Sequence, residues 1–324
     1  MEKREWLEAR RNGIGASDTA SIMGYGYGSP LKVWLSKVHP EMLEEEDNKE
    51  LLEFGLDVEP AIARAYSRAT GRKIVDISGY DIVSHPKYPE VFCTPDLFTA
   101  EEPRRLVQLK WQSKFTDKFG SPGTDEVPDG YLIQCAQEMA VVGVEFEDIA
   151  TLHAGPPVLI YPLRRDPDLE KVVIDAARAF WADYVLTKKE PPIDASRDWA
   201  QYIEKRWPKN KEELQEAGPM EKVGRRLCKV KSLLSRLHEK EDELENRIKR
   251  YIADADGIEG DFGRITWRRS KDRKEDVVDW EAVVAALILN FDIPDQQVQI
   301  ILDHNTQRDV IVRKGSRRFV TNFK

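Results

Sequence analysis

Asp96 closes the triplet Thr94-Pro95-Asp96, and twelve residues later Gln108-Leu109-Lys110 sits inside the apolar run Leu106 to Trp111. Turn residues separate three runs, Tyr80 to Val83, Val91 to Asp96 and Leu106 to Trp111, each of which reads as a short strand. Side chains alternate across a strand, so Gln108 and Lys110 share one face while Val107 and Leu109 enter the core. Asp96, at the end of an adjacent strand, falls within their reach. Downstream, residues 112–128 read as a loop and Tyr131 to Val142 as a helix that stops at Gly143. A hairpin is expected at Ile149 to His153 and Val158 to Tyr161, turned by Gly155-Pro156-Pro157. An amphipathic helix, Leu169 to Leu186, follows and ends before Pro191-Pro192. Upstream, Trp6, Leu7 and Arg10 lie at helical spacing, and Ser17 or Asp18 is placed to cap a helix from Thr19 to Met23. Residues 49–70 are helical in spacing, with Pro60 either kinking one helix or opening a second. This order predicts an α/β (α+β) domain, a mixed β-sheet flanked by helices.

The 324 residues are enough for about two domains. The texture changes near residue 195, giving a core over 1–195 and an appendage over 196–324. In the appendage, residues 209–253 form a helical stretch broken at Gly218-Pro219, with Val223, Leu227, Val230, Leu234, Leu237, Leu244, Ile248 and Ile252 near a heptad. Gly263 to Arg269 and Val310 to Val320 read as strands, flanking a helix near Trp280 to Leu289. The net charge of −8 argues against a generally basic coat, yet Arg225 to Arg236, Arg264 to Lys274 and Arg313 to Arg318 are segregated basic stretches. Such stretches suit the backbone of a nucleic acid, whose binding then weakens steeply with salt. Three scattered cysteines exclude a four-cysteine zinc or iron–sulfur site and fit a reducing cytoplasm. The charged start, Met1-Glu2-Lys3-Arg4-Glu5, does not read as a signal peptide, and no apolar run approaches ~20 residues.

An acid, an amide oxygen and a lysine converging on one spot suit metal-assisted phosphodiester cleavage. Alone, this signal is weak, because a lysine on a strand is common. Its surroundings sharpen it. Glu59 lies upstream on a helix in Gly55-x-x-x-Glu59-Pro60, Gln134 lies downstream on a helix, and Trp6-x-x-x-Arg10 precedes Ile14-Gly15-Ala16-Ser17. In this order, and with Phe180-Trp181 and Pro191-Pro192 closing the core, residues 1–195 resemble the PD-(D/E)XK nucleases of the lambda exonuclease and YqaJ viral recombinase family.

The resemblance implies a restriction-endonuclease-like core and a role for each motif residue. Asp96, Glu59 and Gln108 occupy metal-binding positions, the Leu109 carbonyl adds a contact, Lys110 is the catalytic lysine and Gln134 orients water or substrate. Arg10 and Ser17 match the pocket for a 5′-phosphate, and Lys114, Thr116 and Lys118 are the candidates for a further donor from the segment after the lysine, the spacing fixing none of them. The implied activity is Mg²⁺-dependent, with Mn²⁺ able to substitute: processive 5′→3′ digestion of linear double-stranded DNA that leaves 3′ single-stranded tails for phage-type recombination. A homotrimeric ring and a single-strand annealing protein are the implied partners. One position departs from the family, which usually carries Glu where this chain has Gln108. That amide fits a working natural variant, an introduced isosteric change or a naturally inactive nuclease. Two alternatives follow: a non-catalytic protein that binds DNA ends for recombination, and a structure-specific endonuclease on the same core.

Overall fold

The periodicities resolve into α1 (Lys3–Ala9), β1 (Ile14–Gly15), α2 (Ala16–Ile22), α3 (Pro30–Val38), α4 (Lys49–Thr70), β2 (Ile74–Asp76), β3 (Val83–Ser84), β4 (Val91–Cys93), β5 (Leu97–Thr99) and β6 (Arg105–Gln112). Then come α5 (Asp129–Val142), β7 (Phe146–His153), β8 (Gly155–Arg164), α6 (Pro167–Phe180) and α7 (Arg197–Arg206). The computed structural model describes residues 3–43, 49–76, 81–114, 116–209, 213–270, 273–283, 299–300, 303–304, 306–313 and 317–323. It forms two compact units, Met1–Glu212 and Glu213–Lys324.

In the first unit a five-stranded sheet runs β2-β5-β6-β7-β8, with β6 and β7 parallel and the other pairs antiparallel. The crossover from β6 to the parallel β7 is made by α5, a helix long enough to return across one face. Gly143, in the left-handed region at φ 79°, ends that helix as the sequence predicts. Alternation divides β6 between two layers. Val107 and Leu109 pack against Ile62, Ala63 and Tyr66 of α4, while Tyr131, Cys135 and Met139 of α5 cover Ile149 and Tyr161 on the other side. A small sheet, β1-β4-β3, lies beside this layer. Gln137 of α5 ties it down: its Nε2 donates to the carbonyls of Ile14 (3.0 Å) and Phe92 (2.9 Å), and its Oε1 accepts from Thr19 Oγ1. The mixed sheet flanked by helices is therefore the observed fold class.

Several local expectations are corrected. The strand expected over 91–96 stops at Cys93: Pro95 has no N–H to continue a ladder, and Thr94-Pro95-Asp96 crosses from β4 to β5, which lies in a different sheet. Of the two alternatives at Pro60 the second helix is the one overturned: α4 runs through Pro60 as one helix, held by its buried apolar face. The hairpin reverses at Ala154 (φ 57°), and Gly155-Pro156-Pro157 belong to β8. The helix expected over 169–186 becomes α6 and a π-turn over Trp181–Val185. The first unit also extends past 195. Trp199 and Tyr202 of α7 enter its core, and Asp198 accepts the Ser29 N–H (3.1 Å). Tyr80, and residues 284–289 of the expected helix near Trp280, lie outside the described residues.

The second unit holds α8 (Glu221–Ile252), a sheet of β9 (Gly257–Gly260), β10 (Gly263–Arg269) and β13 (Arg317–Phe323), and a pair of β11 (Arg273–Val278) with β12 (Thr306–Arg313). Gly218-Pro219 opens α8 rather than dividing it, and the strand expected over 310–320 is two strands. The heptad residues Val223, Leu227, Val230, Leu234 and Leu237 are about half exposed along α8. No described helix of the chain is long and apolar enough to cross a membrane.

Two acids are sealed between α5 and β7. Burial pushes the Glu138 carboxyl up to about 7, and burial together with Glu138 carries Glu147 well above the carboxylate range. Both hold protons in the folded chain that they release near 4.5 when unfolded, so between those values the native state binds more protons and stability falls as pH rises. His85 and His153, pushed down by burial, act in the opposite sense only below about pH 6.5. Thermal denaturation without divalent metal is expected to show a falling Tm from about pH 6.5 to 8, with a shallower fall in Glu138→Gln. A Tm that rises over this interval contradicts the assignment.

Candidate metal-dependent active site

Strand β5 pairs with β6 only at Leu97↔Val107 and Phe98↔Leu106, so β5 does not cover residues 108–112. The Leu109 N–H, free of that ladder, donates to Asp96 Oδ2 at 2.8 Å. Gln108 Nε2 donates to the same oxygen, and Gln108 Oε1 accepts from Gln134 Nε2 at 2.8 Å. Gln134 Nε2 also donates to Glu138 Oε1 at 2.8 Å. A hydrogen-bonded chain thus runs from Asp96 through Gln108 and Gln134 to the buried acid pair.

Electrostatics join Glu59 and Lys110 to this chain. Burial raises the Asp96 carboxyl, opposed by the Lys110 charge and the Leu109 N–H. Burial and then the charge of Asp96 push Glu59 up to about 7, against a weaker opposing pull from Lys110. The Lys110 Nζ lies 5.5 Å from the centre of the Tyr131 ring, a cation–π distance. Glu59 is placed by α4, which is pinned to the sheet by Tyr66: its Oη donates to the buried Asp148 at 2.6 Å. Arg72 and Arg105 also bind Asp148, at 3.0 and 3.1 Å.

Among the described residues, no three Asp, Glu, His or Cys side chains form a set that could hold a metal ion on their own. Hydrogen bonds gather Asp96, Gln108 and Gln134, and the charges of Asp96 and Lys110 act on Glu59; the carboxylates of Asp96 and Glu59, with the Gln108 amide and the Leu109 carbonyl, are the donors that the resemblance implies. Mg²⁺ is commonly held by one or two carboxylates, the remaining positions going to water and substrate phosphate, so this donor set fits it. Two neighbouring acids whose carboxyls are both pushed up form a site that a cation relieves. As arranged, Gln108 turns its N–H toward Asp96 and its oxygen toward Gln134; ligation by the amide oxygen requires the amide to turn over.

Arg10 and Ser17 meet separately, with Arg10 Nη2 donating to Ser17 Oγ and to Asp18 Oδ1, both at 3.4 Å. The Arg10 guanidinium lies 4.7 Å from the Trp6 ring centre, and Trp6 Nε1 donates to Thr94 Oγ1 at 3.2 Å. The pair therefore adjoins the segment that carries Asp96. Lys37, absent from the sequence reading, completes the cluster: its Nζ donates to Asp18 Oδ2 (2.8 Å) and to the Arg10 carbonyl (2.7 Å). Its ammonium is nearly buried, and Lys37 and Arg10 hold the Asp18 carboxyl below the usual range despite burial. No local signal could have found Lys37, because the contact is made across α3 and the Gly13–Asp18 turn. Lys114 and Lys118 are exposed on the loop after β6, and Thr116 Oγ1 accepts the Lys118 N–H at 3.2 Å. Those three are not drawn to Arg10 or Ser17 by any hydrogen bond among the described residues.

Comparisons with known proteins find the following likenesses. The chain is 28% identical over 293 residues to the uncharacterized protein YqaJ of Bacillus subtilis strain 168, covering 86% of this chain and 90% of that protein. Among solved structures, an alkaline exonuclease from Laribacter hongkongensis (LHK-Exo) in complex with dAMP is similar at TM-score 0.45 and 17% identity, over 63% of this chain and 97% of the other. A phage-related exonuclease from Haemophilus somnus 129PT is similar at TM-score 0.40 and 12% identity, over 54% and 96%. The YqaJ-like viral recombinase domain matches residues 5–145, the span that contains Arg10, Ser17, Glu59, Asp96, Gln108, Lys110 and Gln134, and in that span the chain is similar to this family.

Proposed function

We propose that this chain is a metal-dependent exonuclease that digests linear double-stranded DNA from its 5′ ends, serving recombination. The observation that carries the reading is the shared field of Glu59, Asp96 and Lys110 at the stretch of β6 that β5 leaves uncovered. The YqaJ-like viral recombinase domain over the same residues supports it. Bound Mg²⁺, or Mn²⁺ in its place, supplies a Lewis acid at the phosphodiester and lowers the pKa of attacking water. Asp96, Glu59, Gln108 and the Leu109 carbonyl hold the ion. The Lys110 ammonium stabilises charge that develops on the phosphate. Gln134, whose Nε2 donates to both Gln108 and Glu138, orients water or substrate. Arg10 and Ser17 receive the 5′-phosphate, with Asp18 and Lys37 holding Arg10 in place. Because this pocket adjoins the Asp96 segment, the strand enters with one polarity, 5′→3′. A homotrimer around the duplex, a single-strand annealing partner for the 3′ tails and action in the bacterial cytoplasm complete the reading.

Gln108 favours a second reading, a protein that binds DNA ends without cutting them. Its amide donates to Asp96 where a carboxylate would repel it, and removes one negative charge from the metal site.

Digestion assays separate these. With Mg²⁺, linear duplex bearing 5′-phosphate ends is expected to be degraded faster than duplex with 5′-hydroxyl ends, and covalently closed circles are expected to survive. Cutting of circles would instead identify an endonuclease. Glu59, with its carboxyl at about 7, must be ionised to hold metal. At subsaturating Mg²⁺ the rate is therefore expected to rise about ten-fold between pH 6 and pH 8; a flat profile removes Glu59 from the site. Gln108→Glu restores the third carboxylate. It is expected to lower Tm without divalent metal, to enlarge the Tm gain on adding Mg²⁺, and to raise the rate about ten-fold or more, equivalent to ~1.4 kcal/mol. If neither protein cuts linear duplex while both bind its ends, the non-catalytic reading holds.

A further inference from the structure

Between α2 and α3 the chain reads Gly24-Tyr25-Gly26-Tyr27-Gly28, and both tyrosine rings face solvent, Tyr25 56% and Tyr27 89% exposed. The loop that carries them is nevertheless held in place. The N–H groups of Tyr25 and Gly26 both donate to the Ala20 carbonyl at 2.9 Å. A Cβ on Gly130 would lie 2.3 Å from the Tyr25 carbonyl oxygen, so the loop is seated directly on the first turn of α5, and only a glycine there permits it. Tyr27 Oη is 2.6 Å from Tyr131 Oη, which also accepts from Gln112 Nε2 at 2.7 Å. Tyr131 is the ring against which the Lys110 ammonium lies, 5.5 Å from its centre. One hydroxyl contact therefore separates an almost fully exposed aromatic ring from the ring that supports the lysine of the candidate site.

We propose that Tyr27, together with Tyr25, is a stacking platform for the nucleobases of the strand entering the site. An aromatic face accepts any base, so such a platform adds affinity without sequence preference, as digestion of arbitrary duplex requires. The Tyr27–Tyr131 hydrogen bond anchors the ring by its edge while leaving most of its surface to a ligand. A base held there is registered against Lys110, because Tyr131 contacts both. Tyr27 touches substrate and positions it; it takes no part in bond cleavage.

The inference rests on the nuclease reading, and the following experiment separates the two. Binding is measured with Ca²⁺ in place of Mg²⁺, on duplex carrying 2-aminopurine at the first two 5′ nucleotides, or tetrahydrofuran abasic residues there. The wild-type chain is expected to quench 2-aminopurine and to bind the abasic end about ten-fold more weakly. Tyr27→Ala is expected to lose the quench and to bind both ends alike. Tyr27→Phe, which keeps the ring and loses only the bond to Tyr131, is expected to keep the quench. Quenching and discrimination by Tyr27→Ala equal to wild type overturn the platform, as does Tyr27→Phe behaving like Tyr27→Ala, which would assign Tyr27 to supporting Tyr131. A wild-type protein that binds no duplex end overturns the nuclease reading and the platform with it.

Discussion

Asp96 lies in no strand, and its place beside β6 depends on the hydrogen bond from the Leu109 N–H to its Oδ2. That bond exists because β5 stops pairing with β6 at Val107, leaving the next stretch of β6 without its β5 partner. Pro95 is the reason the chain arrives there. It ends the small-sheet strand, and the connection it forms delivers Asp96 just before β5 begins. Every other member of the site is placed relative to this join: Gln108 and Lys110 by alternation on β6, Gln134 by the α5 crossover and Glu59 by α4.

The acid balance of the site follows from the same geometry. Asp96, Glu59, Glu138 and Glu147 all carry carboxyls pushed upward, chiefly by burial. With a neutral amide at 108, the metal-free chain avoids adding another negative charge to this cluster, and Gln108 bridges Asp96 to Gln134 instead of repelling it. The proposed divalent ion would answer the cation demand left by Asp96 and Glu59. The Arg10 cluster is the mirror case: there Asp18 sits between two cations and its carboxyl is held low.

The candidate site residues were legible in the sequence because they are residue types at set spacings. Strand β6 showed its alternation from Leu106 to Trp111, all but the two end residues of the observed strand, and α5 showed both its period and its terminating glycine. What escaped was short or long-range. Strands β4 and β5 have three residues each, too few for a period of two to mark their ends, so the first was read on through Asp96 and the second was missed. Lys37 and Asp18 meet across two helices, and no spacing rule connects them. Glu138 and Glu147 look like surface charges in any one-dimensional reading, since such residues are seldom fully buried without a partner. Tyr27 earned no attention in sequence because its meaning lies in Tyr131, which comes near it only through the seating of one loop on α5.

The proposed activity requires one divalent ion between Asp96 and Glu59 on the uncovered stretch of β6. Crystals grown with Mn²⁺ and measured at the manganese absorption edge test this directly. An anomalous peak about 2–2.6 Å from carboxylate oxygens of both Asp96 and Glu59, with the residue-108 side chain turned toward it, is the expected result. Manganese bound elsewhere, with Asp96 still engaged only by Leu109 and Gln108, would contradict it.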